Sequence, residues 1–177
     1  MDPDELDAVL IGGREPVTIT VVDYDVRWPA LFEELAGRIR GALGTVALGV
    51  EHIGSTSVPG LAAKPIIDIL LTVADVQDED RYVPGLVDAG LELRVREPGH
   101  RMLRTPQRTA HVHVYEPDAP QAQAYRDLRD RLRGHPEDRA LYARTKQALA
   151  RQHWADMNEY ADAKSDVIAE ILSRARA

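Results

Sequence analysis

The sequence predicts an α/β (α+β) protein built on one mixed central sheet with flanking helices and a C-terminal helical bundle. Three observations carry this. Short, mostly apolar runs recur through the first two thirds of the chain and are split by one amphipathic stretch. Three runs with residue-by-residue alternation then follow between 91 and 116, separated by Pro-Gly and Pro-Gln turns. From Pro120 onward the apolar spacing becomes helical to the end.

Residues 2–13 suit a short helix with Asp2 as cap and Gly12 and Gly13 as its stop, and can equally be a mobile tail. "VTITVV" (17–22) is β-branched and predicts a strand. The stretch from Asp23 to Gly44 opens with Pro29 and spaces Leu31, Leu35, Ile39 and Leu43 as one face of a helix, which Gly44 closes. "TVALGVEHIG" and "IIDILLTV" look like strands covered on both faces, joined by a Gly-Ser-Thr-Ser loop and about one helical turn over 58–64. In 74–90, Pro84 breaks or restarts a helix that ends at Gly90. His135-Pro136 separates the first two C-terminal helices, and a last helical stretch runs from Asp156.

At 177 residues with 44% hydrophobic content, the chain suffices for one well-buried core. Residues 17–177 are read as a single domain behind an acidic segment at 1–16. With no apolar run of about 18 residues and no secretory leader, the expectation is a cytoplasmic protein with no membrane contact. Absence of cysteine excludes disulfides, thiolate nucleophiles and Cys-ligated zinc, leaving oxygen and imidazole as metal ligands. The net charge is −7. Within it, residues 93–108 carry five arginines against Glu97, which suits a small anionic ligand better than a nucleic acid; the plainer reading is solvated arginines.

The chemistry concentrates in "GSTSVPGLAAKPIID" (54–68). A glycine ending a strand lets backbone approach a ligand, and the hydroxyls of Ser55, Thr56 and Ser57 can donate to phosphate oxygens. The alternative is an ordinary turn capped by Ser57 or Thr56. Asp68, alone in an apolar strand, can stand beside this loop and hold a divalent cation with water and phosphate oxygens; otherwise it is a strand-end residue with a backbone or arginine partner. His111 and His113 lie two apart on one strand face, able to ligate a metal or, protonated, to bind phosphate. Lys64, just before Pro65, is the amine nearest the loop and a candidate for triphosphate contact.

"WPALFEEL", "VEHIGSTSVPGLAAKPIIDILLTV", "HVHV", "LRDRLRGHP", "LYARTKQALA" and "YADAK" resemble the successive motifs of the bacterial GrpB family, in register from about Val17 to the C-terminus. The family also occurs fused behind dephospho-CoA kinase. The resemblance implies a nucleotidyltransferase-like fold in which Gly54 and Ser55 bind phosphate and Asp68 is the first metal-binding carboxylate. It also implies Mg²⁺ as cofactor and matches Arg129, Asp130 and Arg133 to a family motif. Arg129 is the expected phosphate clamp, and the strand of His111 and His113 falls about where the superfamily carries its third carboxylate. Leu70 departs from the pattern, because a second carboxylate belongs there. Lys146 and Lys164 match family positions but read as solvated helix-surface residues. Glu51 and Glu116 are the nearest acids that can replace the missing carboxylate.

The expected function is thus a nucleotidyltransferase-like enzyme that binds a nucleoside triphosphate with Mg²⁺ and transfers a nucleotidyl group to a small acceptor. A second reading, motivated by Leu70, is a catalytically degenerate member that binds an anionic metabolite or serves as an interaction or folding-accessory module. A third makes Asp68, His111 and His113 a transition-metal site for hydrolysis.

Overall fold

The computed structural model describes residues 8–13, 18–152, 154 and 157–175. Five strands form one sheet in the order β1-β2-β5-β4-β3: β1 (Gly49–Ile53), β2 (Ile67–Thr72), β3 (Glu92–Glu97), β4 (His100–Arg104) and β5 (Ala110–Tyr115). β2 and β5 run parallel at the centre and every other pair is antiparallel, so the sheet is mixed, as expected.

Alternation along β2 separates two environments. Ile67, Ile69 and Leu71 join Leu103, Val112 and Val114 under α1 (Trp28–Leu43) and α2 (Val83–Asp88). Burying each such side chain favours folding by about 1.5–3 kcal/mol. The stripe of α1 that meets them is Trp28, Phe32, Ala36, Ile39 and Leu43. Leu31, expected on that stripe, is instead exposed, because Trp28 and Phe32 present more apolar area and rotate the helix toward themselves. Gly44 closes α1 at φ +53°, and α2 starts at Val83 with Pro84 in its first turn, after a single 3₁₀ turn, so Pro84 restarts a helix as the sequence suggested.

The opposite sheet face meets the C-terminal helices α3 (Pro120–Gly134), α4 (Pro136–Ala150), α5 (Met157–Asp162) and α6 (Ser165–Ala175). Leu132 of α3, Tyr142 of α4, and Val167 and Ile171 of α6 share a core with Val58 and Leu61, so the bundle rests on the β1–β2 connection. Asp138, fully buried at the start of α4, accepts from Arg131 Nε at 2.7 Å and from Arg174, tying three helices together.

Three expectations change. Residues 18–22 make no strand; Val22 only exchanges backbone hydrogen bonds with Ala63, which lies in a loop and offers no ladder to extend. No helical turn forms over 58–64; the turn is a 3₁₀ turn at Ser55–Ser57, where Ser57 Oγ donates to the Gly54 carbonyl at 2.6 Å and closes the chain early. The basic stretch is solvated only in part: Arg96 and Arg108 are exposed, but Arg94, Arg96, Arg101 and Arg104 hold partners within the protein. Arg94 donates to the carbonyls of Ile11 and Gly13, Arg96 and Arg101 to Glu79, and Arg104 to Glu92 at 2.7 Å. Most of the N-terminal helix or tail expected over 2–13 lies outside the described residues, but Leu10 bridges to Val95 of the edge strand β3.

Candidate functional site

The sheet face under the C-terminal helices carries a partly enclosed cavity of about 300 Å³. Its floor follows from strand register. Asp68 of β2 pairs with His111 of β5, and His113, two residues on, points the same way. Asp68 Oδ1 lies 3.5 Å from His111 Nδ1 and 3.8 Å from His113 Nε2. Burial pushes the Asp68 carboxyl up, but the two imidazoles outweigh burial and hold it well below the usual carboxylate range, so it is ionised.

Gly54 forms the adjoining wall at φ +68°, and a Cβ there would fall 2.5 Å from Asp68 Oδ2. The glycine is therefore required twice, by its backbone conformation and by the carboxylate seated against it. Ser55, Thr56 and Lys64 also line the cavity. Thr56 Oγ1 is committed elsewhere, lying 2.9 Å from His52 Nε2 and donating to the Ile66 carbonyl. His52 itself stacks on Phe32, and burial lowers its pKa to about 4, which keeps it neutral and structural. Ser57 does not reach the cavity; beyond its bond to Gly54, its carbonyl accepts from Arg133 Nε and Nη2 at 2.9 and 2.8 Å. Arg133 thus braces the loop from α3.

Arg129 lines the cavity but already holds Glu51 at 3.1 Å, Asp130 at 2.7 Å and the His52 carbonyl at 3.3 Å. Glu51 is further occupied by Arg126 at 2.9 Å, and Glu116 faces solvent, so neither replaces the missing second carboxylate. Leu70 closes that position. It pairs with Glu51 on one side and His113 on the other, fully buried with Ile53, Tyr115 and Ala122.

The cations of the cavity come from the C-terminal helices, where sequence reasoning set them aside. Lys146 is buried, and its Nζ donates to Ser55 Oγ at 2.8 Å and to the Ala62 carbonyl at 2.6 Å. Lys164 sits 4.7 Å from the centre of the Tyr160 ring, Lys64 5.1 Å from the same ring, and Lys146 4.8 Å from that of Tyr142. Burial lowers the Lys146 pKa to about 7 and that of Lys64 to about 8, with mutual repulsion adding to both, and burial also lowers that of Lys164. Tyr125, Tyr142 and Tyr160 complete the walls, each pushed up by burial and so a neutral phenol. Among the described residues, the Tyr160 hydroxyl is the one buried side-chain polar atom without a hydrogen-bond partner. A signal for this group was present: "YARTK" (142–146) and "YADAK" (160–164) repeat Tyr-x-x-x-Lys, which stacks ring and amine on one helical face.

The profile of the GrpB protein family matches residues 18–174. This chain belongs to the GrpB family. A UPF0157 protein of Streptomyces coelicolor is 55% identical over 99% of this chain and 94% of its own length. Another, from Halalkalibacterium halodurans, is 48% identical over 98% of this chain and 92% of its own. The crystal structure of the conserved protein GrpB from Enterococcus faecalis superimposes with a TM-score of 0.78 at 36% identity, covering 88% of this chain and 96% of that one. A dephospho-CoA kinase of Mycolicibacterium paratuberculosis is 28% identical over 92% of this chain but only 46% of its own length, so a GrpB-like stretch also occurs as part of a longer chain. Among the described residues, no helix of this GrpB protein is long and apolar enough to cross a membrane.

Asp68, His111 and His113 are the one group among the described residues able to hold a metal ion, their ligand atoms lying within 4.8 Å of one another. The set fits Mg²⁺ poorly. Magnesium takes oxygen ligands, and here one carboxylate stands beside two imidazoles.

Proposed function

We propose that this GrpB protein binds a nucleoside triphosphate in the cavity and transfers its nucleotidyl group to a small acceptor. The observation that carries this reading is the convergence of Lys64, Lys146 and Lys164 on the Gly54-Ser55 loop, opposite the ionised Asp68. Three amines in a half-enclosed space repel one another, and a polyanion that enters offsets that repulsion. Ser55 and the phenol of Tyr160 are donors suited to the remaining phosphate oxygens. In the transfer, an acceptor oxygen forms a bond to the α-phosphorus, the bond from that phosphorus to the bridging oxygen breaks, and pyrophosphate leaves with the electron pair. The acceptor's proton passes to solvent. Catalysis of this kind rests on positioning and charge neutralisation more than on covalent help. Mg²⁺, the expected cofactor, would find only Asp68 as a carboxylate ligand there.

The test is a thermal-shift series with the four ribonucleoside triphosphates, with and without divalent ions, on the native protein and on Lys146→Met. A ligand bound only by the folded state raises the midpoint in proportion to RT ln(1 + [L]/Kd). The expected result is a shift with at least one triphosphate that shrinks in Lys146→Met; no shift with any triphosphate rejects the reading.

Leu70 supports a second reading, a degenerate site that binds an anionic metabolite without turnover, because burial in an apolar cluster leaves no room for a carboxylate there. Binding that survives chelation, with no pyrophosphate released, would favour it.

A further inference from the structure

The separations around Asp68 suit ligands to one shared ion and are long for direct hydrogen bonds. Distances of 3.5 and 3.8 Å from Oδ1 to the two imidazole nitrogens exceed the 2.7–3.2 Å of a good hydrogen bond. Two ligand atoms each about 2.1 Å from one tetrahedral ion stand roughly 3.4 Å apart.

A hydrogen-bonded string leading away from the cavity fixes which nitrogen faces Asp68. Glu97 Oε1 lies 2.5 Å from His100 Nδ1, and His100 Nε2 lies 3.2 Å from His113 Nδ1. A carboxylate only accepts, so His100 carries its proton on Nδ1 and accepts at Nε2. His113 then donates from Nδ1, which leaves Nε2, the atom turned toward Asp68, as its nitrogen for an ion. The ring planes support the same arrangement, since His100 stacks between His113 and Tyr115 and has little freedom to turn. Carboxylate and imidazole partners behind a ligating histidine serve this orienting purpose in metal sites generally.

We propose that Asp68, His111 and His113 form a three-ligand site for a first-row transition ion of the Zn²⁺ and Co²⁺ type in preference to Mg²⁺, with His100 and Glu97 as positioning residues for His113. Two imidazoles and one carboxylate match the donors such ions prefer, and three protein ligands leave an open position toward the lysine-lined cavity. Gly54 contributes by letting Asp68 Oδ2 rest against the backbone, which turns Oδ1 to the histidines. The inference shares its cavity with the function proposed above but does not need a nucleotide.

The experiment begins with chelator-treated full-length protein, titrated calorimetrically with Zn²⁺, Co²⁺ and Mg²⁺ and followed by the visible absorption of Co²⁺. One equivalent of Zn²⁺ or Co²⁺ should bind at least 100-fold more tightly than Mg²⁺, and the Co²⁺ spectrum should take the intense form of a low-coordinate nitrogen and oxygen site. His113→Ala should lose about 100-fold or more of that affinity. His100→Phe, which keeps the stacked ring but not the relay, should lose about 10–100-fold. Equal affinity for Mg²⁺, failure of the native protein to bind one equivalent, or unchanged binding in a folded His113→Ala would each overturn the proposal. The native Co²⁺ spectrum stands even if a variant fails to fold. Triphosphate binding to the chelated protein, measured in parallel, separates the two readings: nucleotide binding without ion selectivity sinks the metal site alone, and ion selectivity without nucleotide binding sinks the nucleotide reading alone.

Discussion

Asp68 sits where two imidazoles from the next strand take up its charge. Replacing it by Asn keeps volume and some hydrogen bonding but removes the charge that balances Lys64, Lys146 and the histidines. Asp68→Asn is therefore expected to stay folded by circular dichroism while losing ion binding and any pyrophosphate release. The lysines give a pH signature. With Lys146 near 7 and Lys64 near 8 in the free protein, against 10.5 when unfolded, the folded state sheds these protons first. Stability of the free protein should rise as pH climbs from 7 to 9, because the unfolded chain holds more protons there. A bound polyanion reverses the preference and restores the ammonium form. Triphosphate affinity should fall about tenfold or more between pH 7 and 9, with net proton uptake on binding. Calorimetry in buffers of different ionisation enthalpy measures that uptake directly.

At the scale of elements, the site depends on one glycine between β1 and its 3₁₀ turn. Gly54→Ala brings a Cβ within 2.5 Å of Asp68 Oδ2 at a backbone conformation that disfavours side chains. The cost should be about 1–3 kcal/mol in denaturant titration, and the displaced carboxylate should weaken ion binding beyond what the stability loss explains. The C-terminal helices matter in the same way. α4 and the α5–α6 junction deliver amines rather than merely covering a sheet, since Lys146 reaches Ser55 across 91 positions of sequence.

For the whole molecule, Asp138 is the knot. It is fully buried between Arg131 and Arg174, and burial alone would push its carboxyl up, but the two guanidiniums hold it below its usual range. Asp138→Ala leaves both arginines without their shared acceptor and should cost about 2–4 kcal/mol. In a protein of this size that lowers Tm by roughly 5–15 °C, measurable by calorimetry. Triphosphate affinity should drop as well, since the same helices carry the cavity's lysines.

Much of this was legible before any coordinates. Period-two and period-3.6 patterns state which face of a segment is apolar, and that is a local property; hence the five strands, the helix closed by Gly44 and the helical C-terminal third. The Gly54-Ser55 loop, Asp68 and the same-face pair of His111 and His113 were likewise readable, because strand alternation fixes side-chain direction residue by residue. Ser57 and the buried or half-buried Arg94, Arg101 and Arg104 depart from the reading because their partners, Arg133, Glu79, Glu92 and the Ile11 and Gly13 carbonyls, are distant in sequence. So were Lys146 and Lys164, which look like solvated lysines until α4 and the α5–α6 junction fold over the loop. Sequence determined which side chains share a face, since backbone geometry repeats over a few residues. Only tertiary structure decided which faces meet, because burial, ion pairing and the pKa of each amine depend on groups that the chain brings together from far apart.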